Sequence, residues 1–210
     1  MVFLAYLLYL NHLAFSIPVW HKDLECQTDS ISKLSEDVEY RFTEEIYKVR
    51  TSQNWILQIP IDAINAWIAC RLEDWIMHES EITWPERLRA PYVECRDGRV
   101  QIAFHITDDF FKIKKEFFVI FVLKLEVINE KILIDLESIR LGRVPFGLNT
   151  EWLITKFDDF IKSNYFQKLL NGFLLSNIFE LADGRVVKCT KIETKNGYFE
   201  VHLVTKLPIN

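Results

Sequence analysis

The histidines are considered first, because imidazole is both a common metal ligand and an acid–base group near neutral pH. The chain contains five, which are His12, His21, His78, His105 and His202. None follows another at the spacing of two or four residues that would put two rings on one side of a strand or helix. His105 and His202 fall on the polar sides of predicted strands, and adjacent strands could bring them together as a metal pair. Exposed strand histidines are far commoner than such a pair, so we predict no metal site.

The four cysteines, Cys26, Cys70, Cys95 and Cys189, are far apart in the sequence. They form no CxxC pair, which a zinc site or a redox dithiol would need. The interpretation favoured is therefore free thiols that are buried or half-buried. One or two disulfides are the alternative if the domain lies in an oxidising compartment. We reject lipid attachment at Cys26, because the acidic residues before it do not suit the small-residue cleavage site of such processing.

The sequence contains none of the short motifs that mark common catalytic sites. GxSxG, HExxH, P-loop and GxGxxG patterns are all missing. The adjacent carboxylates of Asp108-Asp109 and of Asp158-Asp159 would diverge on a strand or helix, which does not suit an acid–base pair. We therefore predict that the protein is not an enzyme, has no catalytic residues and needs no cofactor.

The overall composition is that of a folded protein with an acidic surface. Half of the 210 residues are apolar and 14% are aromatic, which excludes a disordered chain. The length indicates one domain, or two at most. Lys and Arg number 25 against 30 Asp and Glu, which leaves a net charge of −5. Because proteins that bind phosphate backbones usually carry a basic excess, we expect no nucleic-acid partner.

The N-terminal stretch from Val2 to Trp20 has no charged residue. About 20 mostly apolar residues are enough to cross a bilayer, so residues 1–20 are predicted to form a transmembrane helix that anchors the protein. No Lys or Arg precedes this stretch, so it lacks the positive region of a secretory signal and gives no orientation. The alternatives are a short buried helix of a soluble protein and a cleaved signal.

The remaining chain predicts a polar linker at 21–30 and a single domain at 31–210. Apolar residues recur every three or four positions from Ile31 to Val49, which indicates an amphipathic helix. A strand over Asn54 to Ile59 leads into a second helix, on which Trp67 and Trp75 are interpreted as packing residues. The sequence from Ala90 onward changes to the alternation typical of strands.

Four strands are predicted between Tyr92 and Ile139, with turns at Asp97-Gly98 and at Asn129-Glu130. One helix, from about Thr150 to Leu170, precedes a last hairpin. The fold class predicted is therefore α+β, with N-terminal helices, a long curved antiparallel meander sheet and one inserted helix before the last hairpin.

One strand, Phe117 to Leu123, is apolar on both of its faces. An antiparallel sheet needs only one dry face, so either helices cover both faces or one face lines an apolar cavity. We predict a groove wide enough for an acyl chain, with the helix of Thr150 to Leu170 filling it as the alternative. The groove-lining residues predicted are Ile102, Phe104, Ile106, Phe118, Ile120 and Val122.

Asn65 falls inside the apolar stripe of the second helix. A buried amide without partners costs about 1–3 kcal/mol, so its side chain must find hydrogen bonds. We predict a structural role in which Asn65 ties this helix to the corner between Gly142 and Pro145.

Several short motifs point to one group of proteins. They are the apolar N-terminal segment, Ile61-Asp62-Ala63-Ile64-Asn65-Ala66-Trp67-Ile68, Ala90-Pro91-Tyr92-Val93, Ser138-Ile139-Arg140-Leu141-Gly142-Arg143-Val144-Pro145, and the hairpin with Asp183-Gly184-Arg185 and Asn196-Gly197. Together they resemble YpmS-like bacterial membrane-anchored envelope proteins, which are related in outline to tubular lipid-binding (TULIP-like) domains. The resemblance implies a membrane-tethered, extracytoplasmic domain, periplasmic or at the cell surface, with a long sheet packed on helices.

Two functions are expected from these observations. The first is a membrane-anchored, non-enzymatic envelope domain that binds lipid or another apolar ligand along its sheet. The alternative is a structural or interaction subunit of a membrane protein complex. In that case Asn11 and His12 would suit an N-terminal helix that packs against partner helices, since polar residues in membranes tend to face protein.

Overall fold

The computed structural model of the chain describes residues 2–50, 53–79, 84, 88–110, 113–147 and 173–206. Within these residues the helices are α1 (Val2–Ala14), α2 (Asp29–Tyr47) and α3 (Ile61–Glu79). The strands are β1 (Asn54–Pro60), β2 (Tyr92–Arg96), β3 (Arg99–Phe110), β4 (Ile113–Ile128), β5 (Lys131–Leu141), β6 (Val144–Gly147), β7 (Phe173–Ser176), β8 (Ile178–Glu180), β9 (Val186–Lys195) and β10 (Tyr198–Lys206).

The predicted α+β class is confirmed, and the strands form two antiparallel sheets. The meander β2-β3-β4-β5-β6 makes a six-stranded sheet together with β7, which pairs with β5. The last hairpin does not extend this meander, because it pairs with β1 in a separate sheet of order β1-β10-β9-β8. The helix predicted from Thr150 to Leu170 lies outside the described residues.

The turn between β2 and β3 shows why local sequence sets this hairpin so firmly. Asp97 and Gly98 both have positive φ, at 52° and 75°. A two-residue turn of this kind matches the right-handed twist of the strands that it joins, and it favours the Asp-Gly pair. The turn then fixes the register, with Val93 opposite Ile102 and Cys95 opposite Val100.

Strand alternation divides the six-stranded sheet into two faces. The first face carries Val100, Ile102, Phe104, Ile106, Phe117, Val119, Phe121 and Leu123, and the second face carries Gln101, Ala103, His105, Phe118, Ile120 and Val122. The first face forms the main core, where it packs against apolar residues of α3 and of β9 and β10. The four-stranded sheet adds a continuous second cluster around Trp55 and Leu203.

Helix α3 separates the first face from α2. Its residues Ile61, Ile64 and Ile68 belong to the core of the first face. Trp67 lies toward α2, where its Nε1 donates a 2.7 Å hydrogen bond to Glu39 Oε1. The Trp67 ring also contacts that of Trp75, at 6.4 Å between centroids. These tryptophans therefore pack at the α2–α3 surface and are not members of the sheet core.

The N-terminal helix is shorter than predicted. It ends at Ala14 after 13 residues, whereas we expected one helix as far as Trp20. At 1.5 Å per residue it is about 20 Å long, against about 30 Å for the hydrocarbon core of a bilayer. None of the helices in the described part of the chain combines the length and apolar character that a membrane crossing requires.

The interpretation of the cysteines as free thiols is correct for two of the four. Cys26 and Cys70 form a disulfide that joins the segment before α2 to α3. Cys95 and Cys189 are free and buried. Burial raises the pKa of the Cys95 thiol to about 12, which makes it unreactive at neutral pH.

Candidate functional site

A short segment at residues 18–23, named here the cover segment, lies across the second face of the sheet, and it begins with a turn in which the His21 N–H donates a 3.0 Å hydrogen bond to the Pro18 oxygen. Pro18 is buried, and Trp20 packs against the cluster of Ala103, Phe118 and Ile120. The His21 ring lies 4.6 Å from the Phe118 ring. Residues predicted as the end of an anchor and the start of a linker therefore belong to the folded domain.

The predicted groove is wrong, for two physical reasons. Cross-strand register puts Ile102, Phe104 and Ile106 on the first face, whereas Phe118, Ile120 and Val122 point to the second. Because successive side chains of a strand point to opposite sides, these six residues cannot line one surface. The second-face members are also only 2–3% exposed, so that face is not an open channel.

The corner at Gly142 holds the end of α1. Gly142 has φ of 57°, and a Cβ atom at this position would lie 2.5 Å from the backbone oxygens of both Leu13 and Ala14. The Arg143 N–H donates a 3.0 Å hydrogen bond to the Leu13 oxygen. The structural role predicted for Gly142 thus concerns α1, and Pro145 lies exposed in the neighbouring β6.

Asn65 is buried and fully hydrogen-bonded, but not to the predicted corner. Its Nδ2 donates to the Val93 oxygen at 2.8 Å, and its Oδ1 accepts from the Val93 N–H at 2.6 Å. Since β2 is a terminal strand of the six-stranded path, Asn65 satisfies backbone groups that no neighbouring strand pairs. The prediction of a corner contact was wrong because sequence spacing does not show which strand lies beside α3.

Four ionisable side chains meet where the cover segment crosses the sheet. His21 and Asp23 come from the cover segment, His105 from β3 and Glu116 from β4. His21 Nε2 lies 3.2 Å from Asp23 Oδ1, and His105 Nε2 lies 3.4 Å from Glu116 Oε2. The two imidazole rings are 6.2 Å apart between centroids. We name these four residues the histidine cluster.

His105 is the most enclosed member of the histidine cluster, at 4% exposure. Its ring stacks on Phe118 at 4.5 Å, and neither ring nitrogen makes a hydrogen bond within the described part of the chain. Burial, with a contribution from Arg89, holds the pKa of His105 below its usual value. A neutral imidazole with a free lone pair can accept a proton or bind a metal ion.

Helix α1, which precedes the cover segment, has an exposed apolar surface. Helix α1 has no charged residue, and most of its described large side chains are exposed, with Leu10 and Leu13 half-buried. Phe3, Leu4, Tyr6, Leu8 and Tyr9 are 56–73% exposed. An exposed helix of this composition, fixed to a folded domain at its last residues, indicates a site for an apolar environment.

Comparison with protein-family models, with curated proteins and with solved structures finds no match to this chain. The resemblance to YpmS-like envelope proteins therefore stays a prediction.

Sequence reasoning missed the histidine cluster because it compared histidines only with one another. His105 was expected on an exposed strand surface where it could neighbour His202, but His105 is buried and His202 lies on β10 in the other sheet. A weak signal was present in His21-x-Asp23, since residues two apart lie on the same side of an extended chain. Nothing in that spacing points to β3, whose approach depends on the path of the cover segment.

Proposed function

We propose that the protein is a membrane-attached, non-enzymatic docking domain of an oxidising, extracytoplasmic compartment. The observation that carries this proposal is the uncharged helix α1, whose large apolar side chains stay exposed although its end is fixed at the Gly142 corner. The proposed role of α1 is partial insertion into one side of a bilayer. Tyr6 and Tyr9 suit that role, because tyrosines are enriched at the level of lipid headgroups.

The compartment is inferred from the Cys26–Cys70 disulfide. Disulfides persist in secreted, periplasmic and cell-surface proteins and are rare where cytosolic reductants act. The same inference agrees with the extracytoplasmic location that the family resemblance implies.

A second observation favours a protein partner for the body of the domain. Leu174 and Leu175 of β7, with Ile178 and Phe179 of β8, are 43–55% exposed. Strand β8 is at the edge of the four-stranded sheet. Exposed apolar residues at a sheet edge are typical of strand-pairing or docking surfaces, which supports the interaction-subunit hypothesis over a lipid carrier.

Vesicle flotation of the full-length protein tests the attachment. With neutral phosphatidylcholine vesicles, we expect the wild type to float and the double variant Leu4→Gln/Leu8→Gln to stay at the bottom of the gradient. The matched control is Tyr40→Gln/Phe42→Gln, which removes two comparably exposed apolar residues from α2. Equal flotation of all three proteins would contradict a role for α1.

A further inference from the structure

We propose that His21, Asp23 and His105 bind one divalent transition-metal ion of the zinc type, with Glu116 as the fourth ligand. One ligand atom from each of the first three residues lies within 4.8 Å of the others. Two imidazoles with carboxylates form a common zinc donor set, with ligands about 2.0–2.2 Å from the metal and so about 3.3 Å from each other. Ligand atoms that are now up to 4.8 Å apart would need to approach each other by up to about 1.5 Å.

Unpaired buried nitrogens are the independent observation behind this inference. Both ring nitrogens of His105 and the Nδ1 of His21 are buried without a hydrogen-bond partner among the described residues. Such atoms are rare in native proteins, and a bound ion is one of the few explanations for them. One ring nitrogen of His105 lies within 4.8 Å of a ligand atom of His21 and of Asp23.

Glu116 supplies the charge and the access that such a site requires. Its Oε2 is already 3.4 Å from His105 Nε2. The residue also lines an open cleft of about 440 Å³ beside α1, with Asn11 and His12 among its other lining residues. Arg89 approaches Asp23 and Glu116 only at 3.9 and 4.0 Å, which leaves both carboxylates able to bind a metal ion.

The position of the ligands gives the metal ion a structural role. His21 and Asp23 belong to the cover segment, whereas His105 and Glu116 belong to the sheet. A four-ligand zinc site of this kind is closed and holds separate segments together. The ion would fix the cover segment to the second face, a few residues from the Gly142 corner that holds α1. This inference does not depend on what α1 binds.

A second group of the same residue types provides the control. Glu193, Glu200 and His202 also bring three candidate ligand atoms within 4.8 Å. There the His202 ring nitrogen is 3.1 Å from Glu200, and the Glu193 carboxylate is paired with Lys191 at 2.8 Å. Because its polar atoms already have partners, this group is not expected to bind metal.

Zinc titration of the full-length, untagged protein tests the proposal after chelator treatment and dialysis with the disulfide intact. Calorimetry and elemental analysis should give one Zn²⁺ per chain. His21→Gln and His105→Gln should each weaken Zn²⁺ binding by at least about 100-fold. Mutation of a residue that only hydrogen-bonds to a metal ligand already lowers metal affinity about 10–100-fold, and loss of a ligand should lower it more. His202→Gln should bind like the wild type.

Asp23→Asn is a second ligand variant that should still fold, because the Asp23 side chain is 66% exposed. If His105→Gln fails to fold by circular dichroism, His21→Gln and Asp23→Asn decide the result. Absence of Zn²⁺ binding in the wild type, unchanged binding in these two variants, or loss of binding in His202→Gln would each overturn the proposal. Vesicle flotation is measured separately, so failure of one proposal does not imply failure of the other.

Discussion

Phe121 and Phe118 lie three residues apart on β4, and both are 3% exposed, but their surroundings differ. On the first face, Phe121 packs edge-on against Phe104 within a core shared by α3 and strands of the other sheet. On the second face, Phe118 contacts the rings of both His21 and His105, which also lie 6.2 Å from each other. Among the described residues, one face is covered by regular elements, whereas the cover that contacts Phe118 on the other face is the cover segment.

This difference indicates that two side chains can be equally buried although the elements that cover them differ in stability. A helix or sheet brings many apolar side chains in a fixed arrangement, and its own backbone hydrogen bonds are satisfied. A short irregular segment brings few apolar side chains, and it must be held in place by specific contacts. The contacts described here are the Gly142 corner at one end and the Cys26–Cys70 disulfide just beyond the other.

Paired truncations of the two phenylalanines test this difference most strongly. Phe121→Ala should lower the free energy of unfolding by about 3–5 kcal/mol, since the surrounding core cannot collapse into the cavity. Phe118→Ala should cost clearly less, because Trp20 and His21 belong to a segment that can move inward. Chemical denaturation measures both, and a larger loss for Phe118→Ala would reverse the comparison.

Removal of the disulfide should weaken the link between the two covers. Cys26 follows the cover segment and Cys70 is on α3, so the bond joins what covers the second face to what covers the first. Reduction, or the double variant Cys26→Ser/Cys70→Ser, should cost about 2–4 kcal/mol of unfolding free energy. Cys189→Ser is the control for serine substitution at a cysteine that is not in the disulfide. A melting temperature that reduction does not change would contradict this role.

Asn65→Leu tests the hydrogen bonds between the Asn65 side chain on α3 and the Val93 backbone on β2. The change leaves the Val93 N–H and oxygen without their partner, and each buried unsatisfied group costs about 1–3 kcal/mol. We expect a lower melting temperature and faster amide exchange along β2. Asn65→Asp keeps an acceptor for the Val93 N–H but puts a buried carboxylate oxygen against the Val93 oxygen, so it should also lower the melting temperature. Unchanged stability of the leucine variant would mean that β2 does not need this contact.

Gly142→Ala should lower the free energy of unfolding least among these variants. Its effect should be confined to the end of α1. Left-handed backbone costs a residue with a Cβ atom about 1–2 kcal/mol, and the new methyl group would also collide with the end of α1. Gly197→Ala is the control, because Gly197 has φ of 88° and no atom lies within 4 Å of its Cβ position. This variant has the backbone strain of the left-handed conformation without a collision. Limited proteolysis near residues 14–20 should therefore accelerate in the Gly142 variant only. Equal cleavage of the two variants would show that the corner does not hold α1.

The regular elements were predictable because their signals are local. The Asp97-Gly98 turn, the alternation along β3 and the helical spacing of Ile61, Ile64 and Ile68 each follow from residues within a few positions. The predicted strand over Asn54 to Ile59 is also confirmed, but its pairing with β10 is not visible from spacing. Sheet membership depends on which distant strands meet, and no short pattern encodes that.

The cover segment and the histidine cluster were not predictable for the same reason. Trp20 and His21 looked like the end of an apolar run and the start of a linker, because neither has a periodic apolar neighbour. Their role depends on the chain turning after Ala14 and crossing the second face. The doubly apolar character of β4 left two alternatives, helices on both faces or an apolar groove, and the groove that we predicted is not an open channel because Phe118, Ile120 and Val122 are buried.

The most direct test of this account is hydrogen–deuterium exchange of the full-length protein, with and without phosphatidylcholine vesicles. We predict that the His21 amide, which donates to the Pro18 oxygen, and the amides of β4 exchange slowly in both conditions, whereas residues 3–10 gain protection only when vesicles are present. Fast exchange of the His21 amide in the free protein would show that the cover segment is not held in the described position. Unchanged exchange at 3–10 would show that α1 does not attach the protein to lipid.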